Sequence, residues 1–130
     1  MTPRPPRMLA WLVARFTPRH LRDAVLGDLE QLLLLALLRL GPAAYGVAIA
    51  DELVRRAGRD VTVGAVYKTL TRLEGKGYVR SQVGEPTPER GGRAKRYFQL
   101  TPSGRRALTA SLQAIDRLAA GLDLLKPREP

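Results

Sequence analysis

The chain has 130 residues, 45% of them hydrophobic, enough for one folded domain with an added arm. Its 22 Lys and Arg outnumber 12 Asp and Glu, and the resulting charge of +10 favours polyanionic partners, nucleic acid or an anionic membrane surface. With no cysteine and one histidine, His20, the composition excludes disulfides, thiolate metal sites, Cys nucleophiles and His-based metal clusters within one chain.

Residues 1–6 are Pro-rich and predict no regular structure. Residues 7–16 suit a short amphipathic helix bearing Trp11 and Phe16 as packing residues. Arg15 breaks this apolar stretch and no small-residue cleavage site follows, so export is not expected and a cytoplasmic location is. Thr17-Pro18 starts a second short helix to about Leu26, and His20 reads as a surface residue of it. Gly27-Asp28 breaks the chain again. The next helix, 28–40, contains LLLLALL, too short for a bilayer span of about 20 apolar residues and better suited to a core. Gly41-Pro42 ends it.

Tyr45, Ile49, Leu53 and Ala57 recur at steps of four on one side of a third helix, and Gly58 supplies its stop. Thr62 caps the helix TVGAVYKTLTRLEGK, whose apolar face is Val63, Val66, Leu70 and Leu73. Tyr78 to Val83 alternates as a strand, GEPTPERGGRA (84–94) is a loop by composition, and Lys95 to Leu100 is a second strand with Phe98 and Leu100 inward. Thr101-Pro102 starts a last helix. Its Leu108, Leu112, Ile115, Leu118, Leu122 and Leu125 repeat at steps of three and four; packing onto its own domain would use such a stripe, but its length favours a helix that pairs with another. Gly121, in its interior, weakens the far end by about 1 kcal/mol. The predicted class is mainly α with a small β-hairpin. It divides into an arm (1–27), a winged helix-turn-helix domain (28–100), a C-terminal dimerisation helix (101–126) and a tail (127–130).

Two constellations point to function. On the 62–76 helix, Gly64, Lys68 and Arg72 lie opposite the apolar stripe. Gly64 and Ala65 permit close backbone approach to DNA. Lys68 and Arg72 can donate to guanine or to phosphate, and Thr62 and Thr69 add hydroxyls. Tyr67 lies beside the stripe, half buried. An ordinary solvated face explains the two cations on this helix equally well when it is taken alone. In the loop, Arg90, Arg93, Lys95 and Arg96 surround Gly91-Gly92, as suits an arm tracking phosphates, or a hairpin tip kept soluble by charge. The two together, one immediately after the other, favour nucleic acid. Residues 61–100 carry eight Lys or Arg against three acids, whereas 28–60 carry four against five.

An enzyme has little to stand on. Asp51 and Glu52 point to different sides of a helix, and Gly75-Lys76-Gly77 follows a helix where a phosphate loop would precede one. A protein-interaction module, docking a permease or another acidic partner without operator DNA, remains the competing class.

The pieces LGDLEQLLLLALLRLG, AYGVAIADEL, VTVGAVYKTLTRLEGKGYV and GEPTPERGGRAKRYFQLTPSG occur in an order and spacing that resemble PadR-type transcriptional regulators, from about Leu26 to Thr109. The resemblance implies a dimeric winged helix-turn-helix repressor of nearby transporter or detoxification genes. It implies a DNA-reading helix over Thr62 to Lys76, a wing over Gly84 to Arg96, and double-stranded DNA with an inverted-repeat operator as partner. Some such regulators bind small aromatic or drug-like effectors, but no effector residues carry over to this chain. No cofactor is implied. The first 25 residues depart from this pattern and are similar to a prefix segment before certain ABC-type permease domains, which implies a permease contact through the arm.

Overall fold

The structure, a computed structural model, describes residues 26–85 and 94–124. The two short helices expected before Leu26, with Trp11, Phe16 and His20, lie outside the described residues, as do Arg90, Arg93 and Leu125.

Helix α1 runs Asp28–Leu40. Its start is held by the third helical residue: the Gly27 N–H donates to Glu30 Oε1 at 2.8 Å, satisfying one donor ahead of the first turn. Asp28 and Glu30 also place acid at the positive end of the helix. Leu33, Leu34, Ala36 and Leu37 are buried, so α1 is the central element its composition predicts. A 3₁₀ turn, Gly41–Ala43, follows it.

Helix α2 covers Gly46–Ala57. Gly58 takes a left-handed backbone with φ 61, and the Gly58 and Arg59 N–H groups return to the carbonyls of Val54 and Leu53, both at 3.1 Å. Helix α3 covers Val63–Gly75 and is capped by Thr62, whose hydroxyl accepts from the Ala65 N–H at 3.1 Å. Strands β1 (Val79–Val83) and β2 (Arg96–Leu100) pair antiparallel, with Val79 opposite Leu100 and Val83 opposite Arg96.

The sheet is wider than the hairpin predicted from sequence. Tyr45, just ahead of α2, bridges to Tyr97, and the Phe98 N–H donates to the Ala44 carbonyl at 2.9 Å. The segment before α2 thus takes one edge of β2, tying the hairpin to the helices by backbone bonds as well as by Phe98, which is buried.

Helix α4 covers Pro102–Ala119, with the Thr101 hydroxyl accepting from the Gly104 N–H at 3.0 Å. It is shorter than the expected 101–126. Gly121 adopts φ 81, a left-handed conformation that leaves the helical path, and Leu122 N–H closes back to the Ala119 carbonyl.

One core unites these parts: Leu33 and Leu34 of α1, Ile49 of α2, Val66, Leu70 and Leu73 of α3, Val79, Phe98 and Leu108. Leu33, Leu34, Ile49, Val66, Leu70 and Leu73 are fully buried, each stabilising by roughly 1.5–3 kcal/mol. Among the described residues no buried side-chain N or O lacks a hydrogen-bond partner. Three helices, a hairpin and a following helix in this order make a winged helix-turn-helix fold.

Candidate nucleic-acid interface

Helix α3 separates its two faces sharply. Val66, Leu70 and Leu73 are buried, and Thr62, Gly64, Lys68 and Arg72 are exposed. Thr69 belongs to the buried side, which corrects its place among the expected contacts. Its hydroxyl donates to the Ala65 carbonyl at 2.9 Å, and it is 5% exposed. The signal was present in the sequence, since Thr69 stands three residues after Val66 and four before Leu73. Ala65 is half-buried.

Tyr67 is 39% exposed, with its ring edge-on to Phe98 at a centroid distance of 6.1 Å. Room for that ring comes from Gly46: a Cβ there would lie 2.6 Å from Tyr67 Cζ. The first residue of α2 therefore has no side chain because α3 crosses over it.

The cations differ in what they already bind. Glu52 is buried and accepts from both Arg55 and Arg56. Arg59 pairs with Asp28, and Lys76 reaches Glu30 at 3.0 Å. By contrast, Lys68 and Arg72 pair with no acid among the described residues. Like charges four residues apart on a helix destabilise it by a few tenths of a kcal/mol. A face that keeps two of them, next to a bare glycine and the positive end of a helix, is suited to meet a polyanion.

Of the expected wing residues, Lys95 and Arg96 are described and both are exposed. Lys95 Nζ stands 4.3 Å from the centre of the Tyr45 ring, which packs edge-on against Tyr97 at 5.9 Å. This cation–π contact holds the base of the loop against the start of α2. Arg96 lies 3.9 Å from Glu74, whose carboxylate also accepts from the Ser81 hydroxyl at 2.9 Å. Arg96 is thus partly engaged inside the domain.

The apolar stripe of α4 divides in two. Leu108 is 3% exposed and sits in the core of its own domain, which removes it from a surface available to a second copy. Leu112 packs partly against that core. Ile115, Leu118 and Leu122 are 51%, 85% and 61% exposed. Among the described residues no cluster of His, Cys, Asp or Glu could hold a metal ion, and no helix is long and apolar enough to cross a membrane.

Comparison with known proteins agrees with this geometry. Residues 34–110 match the transcriptional regulator PadR-like family. Over 75 residues the chain is 39% identical to the transcriptional regulator Rv3488 of Mycobacterium tuberculosis, a stretch that covers 58% of this chain and 65% of that protein. The chain therefore spans just under two thirds of that relative's length. A PadR-like transcription factor from Bacteroides fragilis superposes with a TM-score of 0.60 at 30% identity, over 75% of this chain and 86% of the other. A PadR family transcriptional regulator from Eggerthella lenta shares the fold at 24% identity, with a TM-score of 0.55 over 93% and 95% of the two chains. The family match covers the central helices, the exposed cationic helix and the hairpin together, and the chain belongs to the PadR-like family of transcriptional regulators, which are not enzymes.

Proposed function

We propose that this protein is a sequence-specific DNA-binding regulator that acts as a homodimer and represses transporter or detoxification genes near its own. Helix α3 enters the major groove, with Lys68 and Arg72 as donors and Gly64 as the point of closest backbone approach. The N–H groups at its start and the Thr62 hydroxyl meet phosphate. The loop between β1 and β2 carries Arg90, Arg93 and Lys95, and the start of β2 carries Arg96, along the neighbouring backbone.

The observation that carries this reading is the state of the cations. Lys68 and Arg72 stand together on the exposed face of α3 beside Gly64 and pair with no acid among the described residues, whereas Arg55, Arg56, Arg59 and Lys76 pair with acids of the same domain. Arg39, Arg105, Arg106 and Arg117 also have no such pair, but they lie on α1 and α4. Dimerisation is supported by Ile115 and Leu118 near the end of α4 and Leu122 just beyond it, apolar side chains left exposed among the described residues. Two copies joined there present two α3 helices, which calls for an inverted repeat with half-sites about 10 bp apart or a multiple of that.

The test is fluorescence anisotropy on two duplexes at two salt concentrations: the DNA upstream of its own gene, and the same bases scrambled. Retained binding to the first at the higher salt, with loss of the second, is the expected result. Equal binding that collapses equally with salt would mean that charge alone acts on that fragment.

A further inference from the structure

The least exposed cation–acid pair among the described residues lies outside the proposed reading face. Glu30 in the first turn of α1 and Lys76 at the end of α3 meet at 3.0 Å, with side chains 7% and 13% exposed. Both carboxylate oxygens take part: Oε1 accepts from the Gly27 N–H at 2.8 Å and from Lys76 Nζ at 3.2 Å, and Oε2 accepts from the same ammonium. A charge this buried is costly unless its partner is in place.

Lys76 is also a backbone junction. Its N–H returns to the Arg72 carbonyl at 3.1 Å, closing the turn that carries Arg72. Gly77 then reverses the chain at φ 80, and the Tyr78 N–H returns to the Leu73 carbonyl at 3.0 Å as β1 begins. One side chain thus fixes the end of α3 and the start of the hairpin to α1. No other described ion pair links α1 to α3.

We infer that Glu30 and Lys76 are positioning residues. They hold the end of α3 in register on α1, so that Arg72 and the hairpin present together to the same DNA. The inference rests on the reading that α3 contacts DNA, and it adds two residues that touch no base. It also explains why Lys76 is held back from the exposed face although it lies one turn beyond Arg72.

The test uses the full chain and three variants: Glu30→Gln, Lys76→Met and Lys76→Arg. Amide hydrogen exchange without DNA is read together with affinity for the upstream and scrambled duplexes. In Glu30→Gln and Lys76→Met, exchange at residues 72–79 rises about tenfold or more while α2 changes little. The ratio of upstream to scrambled affinity falls about tenfold, and Lys76→Arg keeps both near the parent. Glu30→Gln leaves the Lys76 charge intact, so a loss of ratio there cannot come from a missing phosphate contact. Uniform acceleration of exchange across all helices overturns the inference in favour of plain stabilisation. So does a ratio unchanged in both variants. Localised exchange in the variants, with a parent that does not distinguish the two duplexes, upholds the anchoring of α3 and overturns its role in presenting Arg72 and the hairpin to that DNA.

Discussion

The chain packs closely at the joint where α4 begins, and the contact yields a prediction that runs against helix propensity. Gly104 is the third residue of α4, where alanine is the better helix former by up to about 1 kcal/mol. A Cβ at this position would lie 2.1 Å from the Tyr78 carbonyl oxygen, 2.9 Å from its carbon and 3.0 Å from its Cα. All three are backbone atoms. Relief to an ordinary contact needs a shift of roughly 1 Å, which side-chain rotation cannot supply. The carbonyl is not free to move, since it accepts the Thr101 N–H at 3.0 Å, and Thr101 donates its hydroxyl to the Gly77 carbonyl at 2.6 Å. Overpacking of this kind costs about 1–3 kcal/mol, and a weakened hydrogen bond adds about 1 kcal/mol. Gly104→Ala should therefore destabilise by about 1–3 kcal/mol net of the propensity gain. In a domain of this size each kcal/mol lowers Tm by about 4–8 °C. Thermal melting by circular dichroism, with urea titration to check an unchanged m value, measures it. A Tm equal to or above the parent's would show that the joint yields, and would refute the argument.

Arg72→Ala should weaken upstream-duplex binding by about 1–3 kcal/mol if Arg72 reads a base; a phosphate contact instead lowers both duplexes alike and makes the salt slope shallower by about one. Identical affinity and slope would take Arg72 off the contact list. At Gly64 only Thr62 Oγ1 comes within 4 Å of an added Cβ, at 3.9 Å. Gly64→Ala should therefore raise Tm, through a gain of up to about 1 kcal/mol, while it lowers DNA affinity; tighter binding would argue against close backbone approach there. Leu118→Glu should shift sedimentation equilibrium from dimer to monomer and change the Tm of the monomeric fold little, because Leu118 is 85% exposed in a single copy. A dimer that survives it would move the interface elsewhere.

Most helix starts and stops were legible because their signals are local, the end of α4 being the exception. Gly27-Asp28, Gly58, Thr62 and Thr101-Pro102 start or stop helices within one residue of where the sequence places them, since a cap or a left-handed turn needs only near neighbours. The exposed face of α3 was legible for a similar reason: Gly64, Lys68 and Arg72 follow from helical periodicity alone. Periodicity also held the position of Thr69, but its polarity argued for the surface, and a hydroxyl that bonds its own helix backbone can be buried without loss.

What only the tertiary structure decided are matters of who meets whom. Tyr45 joins the sheet through Tyr97, a pairing across 52 residues that no local pattern encodes. Glu30 and Glu52 are buried acids because Lys76, Arg55 and Arg56 satisfy them, whereas composition counts them as surface charge. The α4 stripe reads as continuous in the sequence, yet packing assigns Leu108 to the monomer's core and leaves Ile115, Leu118 and Leu122 outside it. Periodicity tells which side of a helix is apolar. How far along that side the rest of the domain extends depends on the placement of α1 and the hairpin, which is set by contacts between residues distant in the chain.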